Sequence, residues 1–256
     1  MLKTLAFTLT VTTLASTAFG QSGLGMTQAE LTLSGFHLDT ETGTSTGQEA
    51  ALRADFATSD HHGVQVDFAY GSYAAGDLGH LGGHLYMVPS EDWKYGVFAS
   101  FADFNEVETN NVTFGFEAIY RASDRLAVEG RFGLGIANPG NLDYVFADGA
   151  LHYELSDQLS LSGDLSLTEV DELSMSGFAY EVGASLTYRP QNRPFFVTAR
   201  LGMAGMEGET TLSPAPKASL TAGFTFGGVP KDRSAPRNRL FKRHDPLSVL
   251  ALFDRY

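Results

Sequence analysis

The chain has 256 residues, no cysteine and a formal net charge of −13 at pH 7. The acidity argues against a nucleic-acid partner, and the lack of cysteine excludes a disulfide framework, thiolate metal sites and a cysteine nucleophile. Mean hydropathy is near zero, which is not typical of a helical membrane protein, and no stretch after the N-terminus approaches the ~18 apolar residues that a transmembrane helix needs.

Residues 1–20 have the features of a signal peptide. Lys3 supplies the positive charge, residues 5–14 form a short apolar core, and Ala18 and Gly20 occupy the small-residue positions before a cleavage site. We therefore predict cleavage after residue 20 and export from the cytoplasm. A buried N-terminal strand is the alternative.

The sequence from residue 26 to 227 alternates between apolar and polar side chains. In LSLSGDLSL (159–167), leucines occupy one face of a strand while Ser and Asp occupy the other. No helical period interrupts this pattern. About twelve such segments occur, and their length matches the ~9–11 residues that cross a bilayer as a tilted strand. The predicted segments are 28–38, 48–57, 63–74, 78–88, 93–103, 110–121, 125–136, 142–155, 158–168, 175–188, 193–204 and 216–227.

The connections between these segments are too short for parallel crossovers and predict an antiparallel meander. Short turns rich in Ser, Asp and Pro follow the even-numbered segments, as in TSDHHG and RPQNRP. Longer, mostly acidic connections follow segments 1, 5, 9 and 11, as in DTETGTSTGQ and GMEGETTLSPAP. Tight periplasmic turns opposite longer external loops are typical of outer-membrane barrels. We predict an all-β, transmembrane, up-and-down barrel of about 12 strands (range 10–14) over residues 21–227.

The predicted signal peptide, LHYELSDQLSLSGDLSL and the late LTAGFTFGG resemble the porin-type outer-membrane proteins of Gram-negative bacteria. The resemblance covers roughly residues 26–227 and implies a place in the bacterial outer membrane. Outer-membrane lipid, lipopolysaccharide and the barrel assembly machinery are the expected partners. The long constriction loop and the larger strand number of wide porins are not found. A soluble β-sandwich or a secreted β-helix is the alternative architecture.

Aromatic residues beside the short turns predict an interfacial girdle on the periplasmic side. Its members are Trp93, Tyr120, Tyr153, Tyr188 and Phe195.

The polar faces of the predicted strands give the candidate pore-lining residues. They are Arg53, Asp67, His80, His84, Lys94, Glu117, Arg121, Glu129, Arg131, Asp164, Glu181, Arg189 and Arg200. Two interpretations remain open: these charges form a field across a water-filled pore, or they pair into a lattice that fills a narrow barrel. Small residues along five strands favour the pore, and Ser160, Ser185, Thr198 and Thr221 are examples.

Catalytic and metal sites are not indicated. GTSTG (43–47) matches the G-x-S-x-G pattern, but that pattern requires a strand–turn–helix elbow, and this stretch falls in a predicted polar loop. Barrel hydrolases use a Ser–His pair; H-x-S does not occur, and Ser59-Asp60-His61 falls in a predicted turn. His80 and His84 would lie ~13 Å apart on one strand, too far for a single metal ion. We predict no enzymatic activity, no metal and no cofactor.

Residues 228–256 form a basic C-terminal tail with seven Lys or Arg against three Asp. A disordered tail, a periplasmic plug and a contact with peptidoglycan or the membrane surface are the alternatives. The main functional prediction is a channel for passive diffusion of small hydrophilic solutes or ions. A closed structural or surface-interaction barrel is the second hypothesis, and an outer-membrane lipid hydrolase is the third. The sequence does not indicate a particular solute or oligomeric state.

Overall fold

The computed structural model describes residues 25–40, 43–73, 76–105, 109–138, 142–171, 176–191, 193–209, 211–227 and 232–243. The predicted signal peptide and residues 244–256 lie outside these ranges. No helix within the described residues is both long enough and apolar enough to cross a membrane. The twelve strands are β1 Gly25–Thr40, β2 Gly43–Ala57, β3 His62–Tyr73, β4 Gly76–Met87, β5 Trp93–Phe104, β6 Thr109–Ser123, β7 Leu126–Asn138, β8 Leu142–Glu154, β9 Leu159–Asp171, β10 Ser176–Tyr188, β11 Phe195–Gly208 and β12 Leu212–Phe226.

The strands form one closed antiparallel barrel. Each strand pairs with its neighbours in the sequence, and β12 closes the barrel against β1 in a register that runs from Ala29–Phe226 to Leu38–Lys217. Closure leaves no unpaired strand edge. The prediction of an all-β up-and-down barrel of twelve strands is confirmed.

The two ends of the barrel differ less than the sequence indicated. We call the end with residues 58–61, 88–92, 124–125, 155–158 and 189–194 the turn end, and the opposite end the loop end. The prediction of long acidic loops was wrong, because β1 continues to Thr40 and β2 begins at Gly43, and the other three shorten to 105–108, 172–175 and 209–211. Their polar side chains keep the two-residue period beyond the apolar segment, so the hairpin extends. Gly43, with φ of +148°, adopts a conformation there that other residues disfavour.

The outer face of the barrel is apolar. Large side chains at alternate positions project outward, with exposed fractions of 57% for Phe68, 60% for Phe132 and 71% for Leu201. A continuous exposed apolar surface of this kind marks contact with lipid rather than water. Near the turn end, the outer face carries aromatic rings, and those of Trp93 and Tyr120 lie 4.5 Å apart on paired strands. The five side chains of the predicted girdle all project outward with exposed fractions of 39–48%: Trp93, Tyr120, Tyr153, Tyr188 and Phe195.

The two faces of β9 provide a test of membrane insertion. Replacing Leu165, which faces outward at mid-strand, by Arg should lower the free energy of unfolding from lipid vesicles by about 2–4 kcal/mol. The matched variant Ser166→Arg projects inward beside Asp148 and should cost far less. Equilibrium denaturant titration in vesicles measures both values. Equal costs for the two substitutions would contradict the assignment of faces.

The position of the girdle can be tested with the single tryptophan of the chain, Trp93. Because an indole ring at the lipid–water interface lies near the headgroups, lipids brominated close to the carbonyl should quench its fluorescence more strongly than lipids brominated near the chain end. The control is Leu165→Trp in a Trp93→Phe background, which should show the reverse order. Deep quenching of Trp93 would rule out the interfacial placement.

Candidate channel lumen

The lumen is filled on one side by large side chains from β3–β6. We call this the packed side, and its central inward residues are at most 9% exposed. At its centre, both ring nitrogens of His84 face carboxylates, with Nδ1 2.7 Å from Glu117 and Nε2 3.0 Å from Asp67. Carboxylates accept hydrogen bonds, so a doubly protonated ring satisfies both contacts. Lys94 is completely buried beside Asp55, with Nζ 3.7 Å from Oδ1.

The opposite side, formed by β9–β12 and β1, carries small polar side chains and leaves space. We call it the open side. A cavity of about 540 Å³ runs along it past Ser160, Ser185 and Thr198. A second cavity, of about 350 Å³, continues toward the loop end and shares Ser185 and Thr198 with the first. Small residues had been expected to leave space on these strands, and the cavities lie there.

A third cavity lies at the mouth of the turn end. It measures about 440 Å³ and shares Gln28 and Asn238 with the first cavity. The third cavity, lined mainly by β1–β4 and the first turn, therefore adjoins the first at the turn end, and the first two continue along the open side.

Charged residues of the open side are paired across neighbouring strands. The guanidinium of Arg200 donates to Asp164 at 2.5 Å and lies 2.7 Å from Glu181, which also accepts from Lys217 at 2.9 Å. Glu30 binds both Arg53 and Arg189. The wall of the cavities thus contains acidic and basic groups in direct contact, while hydroxyl groups line the space between them.

An apolar cluster lines the lumen near the loop end. The cluster consists of inward-facing side chains near the loop end of the barrel. Among them, Leu38 and Met206 are completely buried. Rings reach across the lumen within it, since Phe98 of β5 and Phe146 of β8 lie 6.1 Å apart. Tyr73 joins this cluster to a smaller one around Phe104, so that ten strands contribute. This cluster was not predicted from the sequence.

The C-terminal segment 232–243 enters the lumen from the turn end. Arg121 donates to Asp232 at 2.9 Å at the mouth. The segment then forms a 3-10 turn over Pro236–Asn238 and continues inward to Phe241, which is completely buried.

Contacts at the mouth also fix the ionisation of Asp232. Partial burial raises the pKa of its carboxyl, but the hydroxyl of Ser234, the backbone N–H of Ala235 and the charge of Arg121 lower it more. The pKa therefore lies below its ordinary value. A carboxyl with a depressed pKa contributes stability at neutral pH that is lost on acidification.

The predicted pore-lining residues occupy three regions of the inner face. Asp67, His80, His84, Lys94 and Glu117 belong to the packed side, and Glu129 and Arg131 border it on β7. Arg121 lies at the mouth. The members beside the cavities are Arg53, Glu129, Arg131, Asp164, Glu181, Arg189 and Arg200.

Residues that reasoning from the sequence missed come from the C-terminal segment and from β3. Arg239, Phe241 and Arg243 reach the lumen centre, and Gln65 receives Phe241. The only feature of this segment that stands out in the sequence is its basic composition, which does not indicate where in the barrel the segment lies.

The motifs considered for catalysis lie at the two ends of the barrel. The stretch GTSTG belongs to β2 and not to a loop as predicted. In the first turn, Ser59 Oγ lies 3.0 Å from Nδ1 of His62, but this oxygen also accepts the backbone N–H groups of His61 and His62. Such bonding is that of a serine-stabilised turn. Within the described residues no group of three acidic or histidine side chains could hold a metal ion.

The barrel is similar in structure to known outer-membrane proteins, although its sequence is not. The sequence matches no protein-family model and no curated protein. The structure of the NanC porin aligns with a TM-score of 0.62 at 10% identity, over 76% of this chain and 98% of that chain. The KdgM porin aligns at 0.57 and 10% identity, over 77% and 99%. An outer-membrane channel from Pseudomonas putida F1 aligns at 0.59 and 11% identity, over 80% and 96%.

The fold is that of a porin-like outer-membrane β-barrel. At 10–11% identity the likeness concerns the barrel and not the side chains of the lumen. The C-terminal segment and the apolar cluster must therefore be interpreted from this chain alone.

Whether the apolar cluster limits the flow of ions can be tested by making it polar. Replacing both Leu38 and Met206 by Ser should raise the ionic conductance of the refolded protein in a planar bilayer, because polar side chains hydrate a constriction that apolar ones keep dry. The control is Leu33→Ser, which changes an outward residue of the same strand and should leave conductance unchanged. The cluster is no barrier to ions if the double variant conducts like the unmodified protein.

Proposed function

We propose that the protein is an outer-membrane channel for passive diffusion of small hydrophilic solutes or ions. The observation that carries this proposal is the pair of adjoining, polar-lined cavities along the open side, which a third cavity joins at the mouth of the turn end. A barrel with a purely structural role could fill this space with larger side chains, as the packed side does. The porin fold supports the same conclusion, and so does the apolar outer face, which fits a lipid bilayer.

The geometry favours small solutes. The cavities pass beside the C-terminal segment rather than through an empty barrel, so the free cross-section is narrow. Hydroxyl groups such as those of Ser162, Thr187 and Thr221 can replace water around a polar solute. Charged pairs at Arg200 and Glu30 provide both signs along the route. We expect passage without a cofactor, in a barrel surrounded by outer-membrane lipid and lipopolysaccharide.

A closed structural barrel is the second candidate. The apolar cluster at the loop end favours it, because a dry constriction stops ions even where the space below is polar. In the channel proposal the same cluster is a gate that opens by hydration. The two candidates therefore differ in whether the refolded protein conducts.

The channel proposal predicts stable current steps in a planar bilayer. It also predicts that Ser185→Trp reduces the step size, because an indole at this position would occupy both cavities that Ser185 lines. The matched control is Ala184→Trp, one residue along the same strand, which projects outward and should conduct normally. Absence of current from protein shown to be folded by circular dichroism would favour the closed barrel.

A further inference from the structure

The barrel wall provides a binding site for one side chain of the segment 232–243, that of Phe241. The ring of Phe241 is stacked on His84, with centroids 5.7 Å apart and planes inclined by 6°. Lys94 Nζ lies 4.6 Å from the ring centre, and Tyr86 meets the ring edge-on at 5.9 Å. Cations over an aromatic face attract it, most strongly where water is excluded.

The backbone of the segment is also held. Phe241 donates its N–H to Oε1 of Gln65 at 2.8 Å, and its carbonyl accepts from Nε2 of Gln65 at 2.9 Å and from Arg53 at 3.1 Å. Lys94 donates to the carbonyl of Arg239 at 2.8 Å. Gln65 and Lys94 are completely buried, so withdrawal of the segment would leave their polar groups without these partners. Such losses are costly, and we call these side chains with His84 the Phe241 seat.

Further contacts fasten the segment to β8, β7 and β2, the strands between the packed side and the open side. Arg233 lies 2.6 Å from Glu154, and the backbone N–H of Lys242 donates to Glu129 at 2.9 Å. Arg243 forms an ion pair with Glu49 of β2. The segment is therefore held at its two ends and at its centre, and the space that remains free is the route along the open side.

The segment changes the charge of that route. The wall of the two cavities on the open side carries seven acidic side chains, Glu30, Glu49, Glu129, Asp148, Glu154, Asp164 and Glu181. It carries five basic ones, Arg53, Arg131, Arg189, Arg200 and Lys217. The segment adds four more, Arg233, Arg239, Lys242 and Arg243. Without the segment the described lining has an acidic excess, and with it a basic excess.

We infer that residues 232–243 form an insert that sets both the width and the charge preference of the channel, with Phe241 as its anchor. This inference rests on the channel function proposed above. With the insert seated, ions pass a narrow, net basic route. Once the insert is withdrawn, the lumen is wider and net acidic, which favours cations.

The full-length variant Phe241→Ala tests the anchor. Two readouts are needed, of which the first does not depend on conduction. Trypsin is too large to enter a twelve-strand barrel, so cleavage after Arg239 and Lys242 should be slow in the folded unmodified protein and fast in the variant, as followed by mass spectrometry. Leu240→Ala is the matched control, since Leu240 borders a cavity but is not part of the Phe241 seat.

The second readout is current in a planar bilayer under a salt gradient. Phe241→Ala should raise the conductance on the order of twofold or more, because withdrawal of the segment adds free cross-section to that of the cavities already present. Its reversal potential should move toward cation preference. The double variant Lys242→Gln, Arg243→Gln keeps the anchor, so it should move the reversal potential in the same direction with little change in conductance.

Each outcome decides a separate part of the inference. Unchanged cleavage in Phe241→Ala would overturn the anchor. Faster cleavage with unchanged conductance and reversal potential, in a protein that conducts, would overturn the role of the insert in the channel. Faster cleavage with no current from any folded variant would overturn the channel function and leave the seat established. An unmoved reversal potential in the double variant would overturn the role in charge preference.

Discussion

Backbone hydrogen bonding in lipid is the constraint on which the rest of this structure depends. A peptide group in hydrocarbon has no water to bind, so strands can cross a membrane only when each is paired on both sides. Pairing of β12 with β1 meets that requirement for the whole wall. Closure then gives every strand one face toward lipid and one toward the lumen, and the two-residue period of the sequence fills each face with a different chemistry.

The number of strands fixes the circumference of the barrel, and the inward side chains must fill or line the space inside it. Twelve strands enclose more space than their own inward side chains fill evenly, and this chain divides that space unequally. Large residues such as Phe98 and Ile119 occupy the packed side, and small ones such as Ser162 and Thr187 leave the open side to solvent. Glycines allow large groups to lie flat against the wall, as where the ring of Phe196 covers Gly223. The C-terminal segment fills part of the remaining volume and borders the cavities that stay free.

Most of the wall could be predicted from the sequence, because alternation is a local property. Leu159 to Leu167 shows the two faces directly, and the outward rings of Trp93 and Tyr120 follow from their place beside turns. Strand ends were less predictable, since the polar residues of 43–47 suit a loop as well as a strand beyond the apolar belt. The apolar cluster was missed because Leu38 lies on the face expected to be polar and Met206 falls in a predicted loop. The position of Phe241 could not be predicted, because its hydrogen-bond partners Gln65 and Arg53 lie more than 170 residues earlier.

The long separation between Phe241 and Gln65, 176 residues, also orders the assembly of the molecule. The seat is made from β3, β4 and β5 but receives a segment that follows the last strand, so it is complete only after most of the chain has been synthesised and paired. Closing so long a loop is entropically unfavourable until the wall is in place. Because Phe241 follows all twelve strands in the chain, the seat is filled by the part of the chain that is synthesised after the whole wall. Defects confined to the segment would yield barrels that are intact in the membrane but immature inside.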